Sequence, residues 1–263
     1  MTLPKVSVLF LTFNRAHTLV ATFESFVARI DYPRDRLEFI LCDDASHEFH
    51  QAINRALDFD VKICARRNQG LGANTNKGLR AATGDFILQL QDDWLFVGEP
   101  DFLSVTIRAL QANPDIGMIA FRARPNLAVA STRDVGSRQF DVLIPDFDNN
   151  GEVEHVGRGV YTDTPHVKRR NFHDIVGYYV EQIPMTEMEL AMTRAVSTRP
   201  DMVVAVMRGP EVFRHIGDAY SFNPGARRAR LIQRLATIPG GSALFALARA
   251  AKRAVSRRPA RVR

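Results

Sequence analysis

The chain has 263 residues, 46% of them hydrophobic and 24% charged. That is the composition of an ordinary soluble globular protein, long enough for a real core in one large or two small domains. A disordered, collagen-like or disulfide-scaffolded chain is excluded. The net charge of +6 is uneven: eleven of the 35 basic residues fall after Gly225 with no acid among them, which leaves residues 1–224 at a net of −5. Whole-chain basicity is therefore weak grounds for a nucleic-acid partner. No apolar run reaches the roughly 20 residues of a membrane span. The apolar stretch Val6 to Leu11 is too short for a signal peptide, so a cytoplasmic chain is expected.

Val6 to Phe13 reads as a nearly continuous apolar strand, as in a parallel sheet. Asn14 and Arg15 follow, and Leu19, Phe23, Phe26 and Ile30 then recur at helical spacing. Asn14 is the expected N-cap, and the helix start would favour an anion. Leu37 to Leu41 is a second strand, running into Asp43-Asp44. A short helix is expected around Ile53 to Leu57 and a third strand over Val61 to Cys64. Arg66 to Gly72 reads as a loop, Ala73 to Ala82 as a helix, and Phe86 to Leu90 as a core strand ending in Gln91-Asp92-Asp93-Trp94. Adjacent carboxylates at the tip of a core strand need a cation or donors to compensate them. In open α/β sheets that tip is where ligands sit. Cys42 and Cys64 lie in predicted strands and are taken as reduced, buried thiols. Cys42 with His47 and His50 lacks any standard zinc spacing.

Phe102 to Leu110 is a further helix and Ile116 to Phe121 a strand. Pro125 to His166 is rich in Gly, Asp, Asn, Thr and Pro and reads as long loops with short strands. Tyr161, His166, Lys168, Arg169 and Arg170 are taken as solvated loop residues, or as contacts for an anionic acceptor. Thr186 with Glu189 has the spacing of a capping box opening a helix. Met202 to Met207 is a last strand, after which His215 should return to the same sheet edge. The alternation of strands and helices implies a right-handed, mostly parallel α/β sheet. Beyond Gly225, Arg227, Arg230 and Arg234 lie on one helical face and Leu231, Ile232 and Leu235 on another. The pattern is that of a basic amphipathic tail suited to an anionic membrane surface.

Six stretches in order carry a resemblance to the family 2 glycosyltransferases. They are Val6-Ser-Val-Leu-Phe-Leu-Thr-Phe-Asn-Arg15, Ile40-Leu-Cys-Asp-Asp-Ala-Ser46, Arg67-Asn-Gln-Gly70, Asn76-Lys-Gly78, Ala82-Thr-Gly84 and Leu90-Gln-Asp-Asp93. The resemblance covers roughly the first hundred residues. It implies a GT-A fold, a Rossmann-like sheet flanked by helices. Residues 1–224 would form the glycosyltransferase domain, with 1–97 as its nucleotide-binding half, 98–224 as its acceptor-binding half, and 225–263 as the tail.

The resemblance also implies roles. Thr12, Asn14 and Arg15 would lie beside the nucleotide of a nucleotide-sugar donor, with UDP expected. Asp44 would accept the imide N–H of uracil, Arg67 would flank the base or a phosphate, and Asp92 would sit near the ribose. Asp93 would hold Mn2+ or Mg2+, with His215 as a second ligand. Glu187 would be the general base of an inverting transfer, with Glu189 as runner-up, and the acceptor a saccharide or a lipid-linked species. Trp94 would stack on an acceptor sugar or pack in the core. The chain departs from the family pattern at Gln91, where the metal-binding motif has its first acid. That departure keeps a second reading open: a GT-A domain that binds a sugar nucleotide or a partner without turnover. A nucleotidyltransferase is a third, but Leu11 to Thr18 lacks the glycines such a loop needs.

Overall fold

The computed structural model describes residues 3–147 and 159–217. The described part belongs to one unit, Met1–Ile216. The basic tail expected over 225–263 lies outside the described residues. No helix among the described residues is long and apolar enough to cross a membrane.

The first half follows the sequence pattern closely. Strand β1 (Val6–Thr12) leads to α1 (Ala16–Val27), β2 (Leu37–Asp43), α2 (Glu48–Ala56), β3 (Val61–Cys64), α3 (Gly70–Ala81) and β4 (Phe86–Gln91). These four strands are parallel, in the order β3-β2-β1-β4. Successive side chains of a strand face opposite sides of a sheet, and here both sides are covered. Val6, Val8 and Phe10 of β1 therefore point into one apolar cluster, and Leu9 and Leu11 into another. The first cluster is aromatic: Phe10, Phe23, Phe26, Phe39 and Phe59 meet mostly edge to face, the geometry that ring quadrupoles favour. On the other side α3 lies so close that a Cβ on Gly78 would stand 2.6 Å from Cys42 Sγ. Cys42 is buried as expected, but Cys64 is only half-buried.

The second half adds antiparallel strands to the sheet. After β5 (Trp94–Phe96) come α4 (Phe102–Ala112), β6 (Ile116–Ala120), the hairpin strands β7 (Val129–Val135) and β8 (Arg138–Leu143), and β9 (His166–Arg169). Then follow α5 (Phe172–Val176), α6 (Met185–Ser197), β10 (Val203–Met207) and β11 (Phe213–His215). The main sheet has nine described strands, ordered β3-β2-β1-β4-β9-β6-β10-β8-β7. It is mixed, because β9 runs antiparallel between β4 and β6.

The basic run read as loop is thus an interior strand. Lys168 and His166 are fully buried, as is Tyr161 before them. Lys168 Nζ meets Gln89 Oε1 and His173 Nε2, each at 2.8 Å. The Arg169 guanidinium donates to the carbonyls of Leu110, Asn113 and Ile116. A long amine can enter a sheet core where neighbouring polar groups receive its hydrogen bonds, and burial lowers the Lys168 pKa well below its ordinary value; a hydropathy pattern reveals neither.

Two cap assignments also fail. Asn14 stands at φ 54°, and Arg15 is the residue that precedes α1. The Asn14 Oδ1 instead accepts from His47 N at 2.6 Å, tying the β1 turn to the β2 turn. Helix α6 starts at Met185 behind Pro184, so no capping box forms around Thr186 and Glu189.

Candidate active site

Strand register brings the two acidic tips level on either side of β1. Thr12 pairs with Asp43 across β1 and β2, and Leu11 with Gln91 across β1 and β4. The chain holds that alignment past the strand ends, since Asp44 N donates to Thr12 O and Asp92 N to Leu11 O, each at 3.0 Å. Helix α1 braces the tip, with Thr22 Oγ1 donating to Asp92 O at 3.0 Å.

Asp92 and Asp93 are both 3% exposed, so their charge needs compensation. Arg15 provides it. One guanidinium nitrogen reaches Asp92 Oδ1 at 3.0 Å and Asp93 Oδ2 at 2.5 Å. Thr12 Oγ1 donates to Asp92 Oδ2 at 2.7 Å. Burial pushes the Asp92 carboxyl up to about 7 despite Arg15. At Asp93 burial acts in the same sense, but His215 and Arg15 outweigh it and hold the carboxyl below the usual range.

His215 arrives through a device the strand pattern did not announce. The short strand β11 pairs antiparallel with β5 in a separate two-stranded sheet, setting His215 opposite Trp94. Its Nε2 lies 3.3 Å from Asp93 Oδ2, and its ring packs on the Trp94 indole at 4.8 Å. Trp94 is buried and belongs to the first apolar cluster.

Among the described residues no three or more His, Cys, Asp or Glu side chains form a metal cage. Asp93 and His215 nonetheless fit a hard-to-borderline divalent cation as partial ligands. Asp93 Oδ1 is buried without a hydrogen-bond partner, an acceptor-only oxygen beside an imidazole nitrogen. The carboxylate oxygen suits manganese or magnesium, either of which completes its shell with water and substrate phosphates, and the imidazole nitrogen favours manganese as the less hard of the two.

Asp44 is buried at the tip of β2, where it holds the start of α3. It accepts Gly70 N at 2.7 Å and Gln69 N at 3.1 Å, with Lys77 Nζ 3.8 Å away. Gly70 at φ +85° gives the tight entry into that helix. Arg67 is exposed on the loop just before it.

Two cavities open beside the acids. One of about 700 Å³ is lined by Trp94, Phe121, Arg122, Arg124, Arg214 and His215 among others. The second, about 430 Å³, shares Trp94, Arg122, Arg124 and His215 and adds Gln91, Asp163 and Glu189. Of the two base candidates, Glu187 is exposed on the first turn of α6, whereas Glu189 is 6% exposed and lines the smaller cavity. Gln91, which stands in place of the motif's first acid, donates to Asp163 Oδ2 at 2.8 Å. Asp163 was missed from the sequence. It lies in a Thr-Asp-Thr stretch with no strand or motif signal of its own.

An α/β domain with acids at two of three neighbouring strand tips, beside a cavity lined by a second pair of acids, is the class that fold and site define. The chain belongs to glycosyl transferase family 2, whose family model matches residues 7–177. It is 31% identical over 127 residues to the Bacillus subtilis protein EpsH, named as a glycosyltransferase. That match covers 47% of this chain and 35% of EpsH. It is 28% identical over 120 residues to an uncharacterized glycosyltransferase of Haemophilus influenzae, covering 45% of this chain and 39% of that one. The curated relatives are thus matched over little more than a third of their length.

Solved structures share the GT-A fold. The mannosyltransferase PcManGT of Pyrobaculum calidifontis, solved with GDP-Man and Mn2+, superposes with a TM-score of 0.55 at 20% identity, covering 90% of this chain and 64% of that one. Residues 1–349 of S. aureus TarS give a TM-score of 0.55 at 18% identity, covering 82% and 62%. A complex of the same TarS segment contains UDP-GlcNAc.

Proposed function

We propose that this chain is an inverting glycosyltransferase that moves a sugar from a UDP-linked donor to a hydroxyl of a saccharide or lipid-linked acceptor, with a divalent cation. The observation that carries the reading is the convergence on one region of a compensated acid pair, Asp92 and Asp93, with His215, and of a buried acid, Glu189, on the adjoining cavity. The Mn2+ with GDP-Man bound to PcManGT, and the UDP-GlcNAc bound to TarS, support the donor class.

Asp44 accepts the imide N–H of the base. A carboxylate has about four acceptor positions, so the α3 amides leave room for that bond. Those amides also fix its direction. Arg67, on the same loop, flanks the base or a phosphate, and Thr12 and Asn14 line the nucleoside side at the β1 tip. Asp93 and His215 would hold the cation, which when bound neutralises the charge that builds on the departing diphosphate. Glu189 takes the proton of the acceptor hydroxyl as that oxygen attacks the anomeric carbon. The carbon–oxygen bond to the diphosphate breaks with its electron pair, and the configuration inverts because attack and departure are on opposite faces. Trp94 and Phe121 wall the cavity against water.

The test is donor consumption with product analysis in manganese, magnesium and chelator, for the wild type, Asp93→Ala and Glu189→Gln. Turnover that needs the cation and collapses in both variants is expected. Turnover indifferent to both substitutions would sink the reading. The rival, donor binding without catalysis, is favoured by one observation: Arg15 already neutralises the acid pair. Donor binding with no consumption of any nucleotide sugar would select it.

A further inference from the structure

The larger cavity carries charge that the reaction described above does not use. We propose that this cavity is the acceptor site, and that Arg122 selects an acceptor bearing an anionic group, a phosphate or a carboxylate, beside the sugar that reacts. This rests on the reading of the chain as a glycosyltransferase with Glu189 as its base.

Placement comes first. Thr12, Asp44 and Arg67, on the nucleotide side, line neither cavity. Glu189 lines the smaller one, while Trp94, Arg122, Arg124 and His215 line both. The two spaces thus adjoin along those four side chains. An acceptor with its hydroxyl at Glu189 extends past them into the larger cavity, whose volume of about 700 Å³ is that of a small-molecule site. Leu127, Leu143, Val206 and Phe213 are buried and give it an apolar wall, which suits the C–H faces of a pyranose ring.

The charges decide the sign of the ligand. Four arginines and His215 line the larger cavity, against two acids, Asp141 and Glu211. Both acids are already taken. Arg208 Nε donates to Asp141 Oδ2 at 2.6 Å, and Arg214 Nε to Glu211 Oε2 at 3.0 Å. Arg124 is anchored, its Nη2 donating to the Gly159 carbonyl. Arg122 is exposed, and among the described residues no acid pairs with it. A lone surface guanidinium is ordinarily just solvated. This one stands where two cavities meet, two residues from a second guanidinium on the same walls. Its planar fork matches a phosphate or carboxylate with two parallel hydrogen bonds. A neutral acceptor would displace water from that charge and return nothing for it. A phosphate can arrive within the saccharide or in the headgroup of a lipid that carries it, and both present the same oxygens to Arg122.

Two measurements on the full chain test this. The first needs no turnover: methyl phosphate is titrated by phosphorus NMR line broadening, in magnesium and saturating UDP, into the wild type, Arg122→Gln and Arg199→Gln. Arg122 is exposed, so its replacement should leave the fold intact; Arg199 is exposed and lines neither cavity. Binding should weaken about tenfold in Arg122→Gln, the scale of a lost charge-assisted contact, and stay within about twofold in Arg199→Gln. The second is turnover with matched acceptors: methyl hexosides, the corresponding uronic acids, the corresponding phosphate esters, and those esters carrying a decyl chain. An anionic acceptor should exceed its neutral counterpart about tenfold or more in kcat/KM, and Arg122→Gln should erase that ratio at unchanged donor KM. Preference for the free ester supports a phosphate within the saccharide, and preference for the decyl ester supports a lipid headgroup. Equal phosphate binding by wild type and Arg122→Gln, including none by either, overturns the proposal. So does equal use of the neutral acceptor, or a raised donor KM in Arg122→Gln, which would assign the arginine to the donor diphosphate. Phosphate binding that depends on Arg122 without turnover of any acceptor removes the enzyme reading and leaves the anion site standing.

Discussion

Arg15 offers the sharpest perturbation, because it stands where an internal cation must be. Its side chain is 14% exposed, and those of Asp92 and Asp93 are 4%, so solvent screens the trio little. Removing one partner of a buried ion pair costs about 3–5 kcal/mol, because the remaining charge is left uncompensated. A carboxyl can relieve part of this by taking up a proton, which sets the expectation for Arg15→Ala at the lower end, about 3 kcal/mol. For a unit of this size each kcal/mol is worth about 2–4 °C, so Tm should fall by roughly 6–12 °C in chelator. Calorimetry with and without manganese is the assay. The variant no longer holds Asp93 with a guanidinium, so manganese should bind it more tightly than the wild type when no donor is present. A cation at a hundred times its Kd returns about 2.7 kcal/mol, most of the loss. Turnover should nevertheless stay low, since the proposed site also sets Arg15 beside the donor. If Arg15→Ala melts within about 2 °C of the wild type in chelator, or if manganese stabilises both proteins equally, the idea that arginine and metal compete for Asp93 is wrong.

Other consequences are more local. Glu187→Gln should leave kcat within about twofold, whereas Glu189→Gln should lower it by roughly 10² or more, the scale of a lost general base. Asp44→Ala should cost about 1 kcal/mol through loss of the α3 cap, while Asp44→Asn should retain the cap. Both should lose affinity for a uridine nucleotide in calorimetric titration, separating the carboxylate's two tasks. Burial would push Glu38 up, but hydrogen bonds from Ser7, Thr83 and Lys5 reverse this and hold it at about 2. A depressed carboxyl stabilises the fold fully above its unfolded value near 4.5 and loses that contribution as pH falls toward 2. Urea unfolding between pH 5 and 2 should therefore flatten in Glu38→Gln, by up to about 3 kcal/mol across the window; unchanged slopes would contradict the Glu38 assignment. Gly78→Ala should destabilise, since its methyl would stand 2.6 Å from Cys42 Sγ under a closely packed helix.

Much of the first hundred residues was legible because their signals are local. A buried parallel strand needs a continuous apolar run, so Val6 to Thr12 and Phe86 to Gln91 announce themselves. The acids that interrupt such runs must lie at the tips, which is how Asp44, Asp92 and Asp93 were placed on one edge. What the chain order could not convey was pairing between distant segments. Lys168 reads as solvent-facing until β9 is inserted between β4 and β6 and Gln89 and His173 close around it. Glu187 and Glu189 differ by two positions on one helix, and only the packing of α6 decides which of them meets a cavity. Gln91 looks like a weakened metal ligand in a linear motif; seventy-two residues on, Asp163 gives it a different partner. Sequence by itself determined the sheet edge and its acidic tips, through hydrophobic periodicity and the cost of burying charge. Tertiary structure decided which acids touch which donors, because that cost is relieved by groups brought near in space rather than along the chain.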